Sequence, residues 1–496
     1  MAEIQNLIPV SWKSGPLEIA KRAKAGELAP EARQTIEKWH DPAALDILAG
    51  SPINCLVVNW AAGLPEDVAQ QKSIMPLLEA ARRRKLDVVG WTEGAMDPNA
   101  AIAAAKAAGL TAIALQDYKG TSDFPVIVSS ERATAALNTT AAVLAVTDNV
   151  WPGIAPSVAQ ADPNAGPTGL PWLDSNAWYI QLVRAHMQAP VWMLFDPPGK
   201  GEVVLPQRYA TSICDAQMGG ARWVVSLDDS LCAGLISGNA AAKSTWQNIG
   251  QTLAFFESHR DWNSYRSLGL VGVISDFAGE NFDMSGEVLN LCLRRDLLLR
   301  VIWKSQAMAQ PFTGLKALVY MDASAPAPEL RSKIMAFVEQ GGLLMTSPVW
   351  GAGQGTSIDP GFGCMFDVKS VGKGRLAIAK SASIDPYQVA VDGQMLVSFR
   401  NDLVKYYNTG SSGCTQFTLS PDGKKSVLQG LAYADRRAGG PRTVWVPQKY
   451  RSARYWVIGS EAAQVQPEPA EEYPGFEYHL PAEISSQPYL AMEFEI

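Results

Sequence analysis

Eight short apolar runs fill the first half of the chain: Leu7–Trp12, Ile53–Trp60, Asp87–Glu93, Thr111–Asp117, Pro125–Ser129, Ala142–Asn149, Val191–Asp196 and Arg222–Asp229. Helix-like stretches separate most of them, including an amphipathic one over Glu66–Lys85 and an Ala-rich one from Asp97-Pro98 to Gly109. The second run, INCLVVNW, is nearly all apolar, as a strand covered on both faces should be. Eight such runs alternating with helices over about 250 residues is the count of a (β/α)8 barrel. One connection fits poorly. Residues 117–124 leave too little chain for a helical crossover, which takes a dozen residues or more. Either the barrel has lost a helix there, or one run is not a barrel strand.

The pattern changes near Arg266. Strand GLVGVIS (269–275), a helix over 284–306, strand LKALVYMD (315–322), helix Pro328–Gln340 and strand LLMTS predict three parallel strands in a small doubly wound unit. From about Asp367 helical periodicity fades. Runs such as TQFTLS, TVWVPQ, ARYWVIG and PYLAMEFEI alternate instead, with turn signals such as Pro421-Asp422-Gly423. The expected domains are a barrel over 1–262, an α/β domain over 263–366 and a β-sandwich over 367–496.

In a (β/α)8 barrel the strand C-termini line the active site. Here they read SWK, VNWAAG, WTEG, QDYKG, VSSE, TDNVWPG, FDPPG and SLDDS. A mouth of carboxylates, amides and indoles suits sugar chemistry, because glycoside cleavage needs two carboxyl groups and pyranose faces stack on indoles. Glu93, Asp148 and Asp196 are the catalytic candidates. Glu93 follows Trp91, whose indole would desolvate a carboxyl and favour its acid form. Glu93 and Asp148 sit on opposite strands, an arrangement that favours inversion. Asn59, Trp60, Trp91, Asp117, Asn149, Trp151 and Asp228 are the candidate substrate-binding residues. Each acid has a plainer role open to it as a helix N-cap, of which Asp97 is the clearest instance. The Gly/Pro-rich segment 151–175, with Trp151 and Trp172, is long enough to be functional and would cover the mouth. PPGKGE (197–202) lacks P-loop spacing and reads as a loop.

Composition narrows the alternatives. Net charge is −7, with no basic stripe for nucleic acid. No run of eighteen apolar residues could span a membrane, and no signal peptide is evident at the N-terminus. A cytoplasmic protein, or a periplasmic or secreted one without its leader, is expected. The six cysteines are scattered and read as reduced, buried thiols. The four histidines form no metal-ligand spacing, so neither a metal nor a cofactor is expected. No strand end carries an Arg fork for a sugar carboxylate, which favours a neutral sugar.

The segment LKALVYMDASAPAPELRSKIMAFVEQGGLLMTS (315–347) resembles the strand–loop–helix–Gly-Gly–strand unit of a glutamine-amidotransferase-like domain. The ending EYHLPAEISSQPYLAMEFEI resembles terminal sandwich strands. With the barrel, this order resembles the multidomain β-galactosidases of glycoside hydrolase family 42 and related barrel glycosidases. The resemblance implies a glycosidase and a homo-oligomer, dimer or trimer. The family's Asn-Glu pair at strand four and Glu at strand seven have no match, since those ends read Gln116-Asp117 and Phe195-Asp196. The resemblance therefore implies fold and substrate class and leaves the mechanism open. A non-catalytic carbohydrate-binding barrel and an exo-glycosidase for an acidic sugar are the alternatives.

Overall fold

The computed structural model describes residues 4–94, 97–138, 140–154, 173–197, 204–397, 401–407, 413–433, 442–471 and 474–496. The chain divides into two compact units, Met1–Trp151 with Met187–His259, and Pro152–His186 with Arg260–Ile496. Of the segments singled out above, residues 155–172, with Trp172, and 198–202, with Lys200, lie outside the described residues.

The first unit is the expected barrel. Its strands are Pro9–Trp12, Cys55–Ala61, Asp87–Thr92, Ala112–Gln116, Val126–Glu131, Leu144–Thr147, Val191–Met193 and Arg222–Trp223. They pair in chain order, each parallel to the next. The seam closes where the Ser11 amide donates to the Val225 carbonyl at 2.8 Å and the Val225 amide to the Pro9 carbonyl at 3.0 Å. The fourth and fifth strands are parallel neighbours although no helix joins them. The barrel has lost a helix there. The single helix expected over 66–85 is two, Asp67–Ser73 and Met75–Arg83. Pro76 sits in the first turn of the second, where a missing amide hydrogen costs nothing.

Strand side chains alternate between the two faces of a sheet. Leu7, Cys55, Val57, Val89, Ala112, Ala114, Ile127, Val143, Ala145, Trp192 and Val224 point inward and form one buried cluster. This plug fills the barrel, and Trp91 and Leu194 pack on its edge. Position 90 belongs to the outward face of the third strand and must be glycine. A Cβ there would lie 2.7 Å from Leu110 Cδ1 and 3.0 Å from Trp60 Cγ.

In the second unit a seven-stranded sheet runs Leu299–Trp303, Val271–Ser275, Ala317–Tyr320, Leu343–Thr346, Gly374–Ala379, Phe366–Val371, Thr356–Ser357. The first five strands are mutually parallel, and the last two pairings are antiparallel. The sheet thus holds more parallel strands than the three expected. The helix expected over 284–306 ends at Leu293, and Leu299–Trp303 is an edge strand. Asp296 adopts φ 55°, a left-handed turn that ends the helix before LLLRVIW. A helix over Pro386–Val397 also interrupts the region expected to be wholly β. Asp385 starts it, its carboxylate accepting from the Tyr387 amide at 2.8 Å.

The remaining strands form antiparallel sheets of six and four, and Gly153–Ile154 pairs with Leu173–Asp174 in a two-stranded ribbon. Tyr478 of the smaller packs against Phe494 of the larger, with ring centroids 5.5 Å apart. Among the described residues no helix is long and apolar enough to cross a membrane.

Gly90→Ala is expected to lower the unfolding free energy by about 1–3 kcal/mol, since Trp60 and Leu110 must both give way. Urea unfolding monitored by tryptophan fluorescence measures this. Wild-type stability in the variant would show that the outer layer is loosely packed.

Candidate active site

Alternation that fills the barrel with apolar groups also decides what reaches its mouth. Continuing each inward column to the strand's C-terminal end gives Ser11 and Lys13, Asn59, Trp91 and Glu93, Gln116, Ser129, Thr147, Leu194 and Asp196, and Ser226. All of these line one cavity of about 390 Å³, with Val57, Thr92, Asp148, Asn149 and Phe195. All eight strands therefore contribute. A volume of this order suits a small ligand.

Asp148 follows Thr147 and by alternation belongs outside. It reaches the cavity because its backbone turns left-handed, at φ 48°. Its carboxylate accepts the Arg132 amide hydrogen at 2.7 Å. Asn149 is fixed by donating to the Val146 and Leu194 carbonyls at 2.6 and 2.9 Å, which ties the sixth strand end to the seventh.

Beside these groups lies helix Gly15–Ala25, which follows the first strand. Gln70, fully buried, fastens its start. The Gln70 side chain accepts the Leu17 amide at 3.2 Å and donates to the Ser14 and Asn59 carbonyls, both at 3.1 Å. The helix must pass close to do this. A Cβ at Gly15, where φ is 84°, would meet Gln70 Oε1 at 2.5 Å.

The anchored helix carries Glu18, Lys21 and Arg22 to the mouth. Glu18 is 4% exposed. Its carboxylate accepts from Arg22 Nε at 2.7 Å and from Asn59 Nδ2 at 2.8 Å. Arg22 Nη1 reaches on to Asp229 at 2.6 Å, and Lys21 Nζ to Glu93 at 2.6 Å. Lys13 pairs with Asp196. Burial alone would raise the Glu18 pKa. Lys13, with the hydrogen bonds from Arg22 and Asn59, holds it below the ordinary carboxylate value instead. Desolvation acts on Asp196 in the same sense and is likewise outweighed by Lys13, so its pKa is also lowered. Burial would lower the Lys13 pKa, but Asp196, Glu18 and Glu93 keep it above the ordinary lysine value.

The structure brings together Glu93, Asp148, Asp196, Asn59, Trp91 and Asn149 among the residues singled out in the sequence. Four others are not among the lining residues. Trp60 points outward and packs beside Gly90. Asp117 accepts the Ser130 hydroxyl at 2.6 Å. Asp228 caps helix Asp229–Ser237 through the Leu231 amide and accepts the Tyr209 phenol. Trp151 packs edge-on against Phe195, Tyr209 and Trp223. Trp12 stacks on Trp39 at 4.3 Å and is not among the lining residues, whereas its neighbours Ser11 and Lys13 are. The indole beside Glu93 is present, but Lys21 lies on the carboxylate. Sequence reasoning missed Glu18 and Arg22, which lie inside a helix rather than at a strand end. Their i, i+4 spacing is the signal the sequence held.

Because the folded pKa of Glu18 lies below the unfolded one, the unfolded chain takes up a proton first as pH falls. The stabilisation from Glu18 is complete above about pH 4.3 and is lost as pH drops through the folded pKa. Melting temperature is therefore expected to decline below that pH, and Glu18→Gln to shrink the decline. Parallel acid limbs for wild type and variant would contradict the ion network.

No family model matches the chain, and no curated protein sequence does. Among solved structures, α-L-fucosidase isoenzyme 2 from Paenibacillus thiaminolyticus aligns over 99% of both chains at a TM-score of 0.52 and 8% identity. Exo-β-1,4-mannosidase Op5Man5 from Opitutaceae bacterium strain TAV5 aligns over 76% of this chain and 92% of its own, at a TM-score of 0.45 and 11% identity. Gan42B, a GH42 β-galactosidase, aligns over 86% of this chain and 67% of its own, at a TM-score of 0.36 and 10% identity. In fold, the chain resembles multidomain barrel glycoside hydrolases: an N-terminal parallel eight-stranded barrel with β-rich parts beyond it.

Proposed function

We propose that the chain is a glycosidase acting on a neutral sugar at the mouth of the barrel. The observation that carries this reading is the convergence of three carboxyl groups, an amide pair and an indole on one small cavity: Glu93, Asp148, Asp196, Asn59, Asn149 and Trp91. The fold shared with a fucosidase supports it.

Two of the three carboxylates carry a cation, Glu93 through Lys21 and Asp196 through Lys13. Asp148 accepts only the Arg132 amide among the described residues. A general acid must hold its proton when substrate arrives, whereas a nucleophile or base must be ionised. Asp196, which Lys13 holds ionised, is assigned as the nucleophile or base, and Asp148 as its partner in the pair, with Glu93 at the rim. Their strands are hydrogen-bonded neighbours. Neighbouring strands lie about 4.8 Å apart, close to the roughly 5–5.5 Å of retaining enzymes and short of the separation that admits a water. Asp148 and Asp196 replace the opposed pair Glu93 and Asp148, and retention replaces inversion as the expected outcome.

The charge of Lys13 is met by Asp196, Glu18 and Glu93. A sugar carboxylate entering the cavity would meet an excess of acids, which favours a neutral glycoside over an acidic one. The seven-stranded unit is assigned as the flavodoxin- or amidotransferase-like domain and the antiparallel sheets as the sandwich. A barrel domain over 1–262, an α/β domain that starts at 263 and runs past the expected boundary at 366 to include strands Phe366–Val371 and Gly374–Ala379, a sandwich beyond them, and assembly into a dimer or trimer belong to the same proposal.

Aryl α-L-fucopyranoside, β-D-galactopyranoside and β-D-mannopyranoside form the first test panel. Turnover of at least one is expected, with the product anomer retained in early proton NMR spectra. Asp148→Asn and Asp196→Asn should each lower kcat by about 10²–10⁴-fold while the fold is kept. Saccharide binding with no release of aglycone on prolonged incubation would replace this reading by a non-catalytic one. Light scattering should give a mass of two or three chains of 53.4 kDa; a monomer at micromolar concentration contradicts the assembly.

A further inference from the structure

We propose that Glu18 is a positioning residue that sets the specificity of the cavity, by fixing Asn59 with its amide oxygen toward the sugar. The inference rests on the saccharide-binding reading of that cavity.

The argument begins with hydrogen-bond chemistry. An ionised carboxylate only accepts. Glu18 is nearly without exposed surface and accepts Asn59 Nδ2 at 2.8 Å, so the NH₂ edge of that amide must face Glu18. The backbone of Asn59 is also held, since its carbonyl accepts Gln70 Nε2 at 3.1 Å. The edge left to the cavity is Oδ1, which takes no hydrogen bond among the described residues. An amide would ordinarily be free to turn and offer either edge. Here one buried charge removes that choice.

Glu18 itself cannot turn away. Its other oxygen accepts Arg22 Nε at 2.7 Å, and Arg22 is held by Asp229 at 2.6 Å. Burying such a charge is costly unless it is fully hydrogen-bonded. A buried acid beside the cavity, turned from it and spent on orienting a lining amide, is accounted for by specificity more simply than by stability. The consequence is chemical. At this position the ligand must donate, so a sugar hydroxyl fits and an acceptor-only substituent does not.

Glu18→Gln reverses the polarity. Arg22 must still donate to the side-chain oxygen, which turns the new NH₂ toward Asn59. Asn59 then rotates and offers Nδ2 to the cavity. A fluorine in place of the hydroxyl, which accepts weakly and cannot donate, distinguishes the two states.

Calorimetry with methyl α-L-fucoside, β-D-galactoside and β-D-mannoside, each with its monodeoxyfluoro analogues, supplies the test. For the sugar bound, one fluoro position should weaken wild-type binding by about 10- to 100-fold. In folded Glu18→Gln that ratio should fall to about threefold or less, or reverse, while ratios at the other positions stay as in wild type. Asn59→Ala should flatten the same position, although it also removes one donor from Glu18, and serves if the glutamine variant does not fold. A folded Glu18→Gln, or a folded Asn59→Ala, with every ratio unchanged overturns the inference and leaves the glycosidase reading standing. A uniform loss across all positions also overturns it, since that marks a structural role. A wild type that neither binds nor cleaves any of the three overturns both.

Discussion

A carboxylate with almost no solvent, Glu18, organises the mouth of this barrel. An isolated buried charge would cost several kcal/mol, so its neighbours are constrained to meet it. Arg22 and Asn59 bond it directly, and Lys13 adds an opposite charge. Through these it reaches the cavity at Asp196, by way of Lys13, and at the second strand end, by way of Asn59, while Arg22 links it to Asp229 outside the lining. Gln70 ties the start of the helix to the second strand end, and so holds Glu18 beside Asn59. A polar network of this kind fixes geometry when every member is satisfied and fails as a whole when one is not. Removing a single partner from it should therefore cost more than a surface ion pair would.

The same network shapes the chemistry. Among the described residues Glu93 and Asp196 each pair with a lysine, whereas Asp148 accepts a backbone amide, so three similar acids have unlike surroundings. Separating the roles of like groups by their surroundings is how one fold holds an acid and a base side by side. Beneath them the apolar plug, Trp192 included, fills the interior between the strands that carry these ends. Packing sets the positions of the strand ends, and Lys13 keeps Asp196 ionised.

Much of the barrel was legible because each strand announced itself as an apolar run with a polar end. Even the short link after Asp117 raised the correct question. What went unused was parity. Asn59 and Trp60, or Gln116 and Asp117, are adjacent in sequence but face opposite sides of the sheet. Counting in twos from the apolar plug places Asn59 and Gln116 inside and Trp60 and Asp117 outside. Asp148 evades that count through a left-handed backbone that an aspartate gives little sign of in sequence. Glu18 was hidden for another reason. Its burial depends on groups 41 and 52 positions away, Asn59 and Gln70, which no local pattern can report. In the second unit the run LLLRVIW continued a helical pattern too smoothly, and only the turn at Asp296 separates helix from strand.

A crystal structure with a non-hydrolysable thioglycoside of the cleaved sugar would test the account most directly. The account places the ring in the barrel mouth, one hydroxyl donating to Asn59 Oδ1, the sulfur beside Asp148 and the anomeric carbon facing Asp196. A ring bound outside the cavity, or inside it with Asp148 and Asp196 both remote from the anomeric centre, would contradict it.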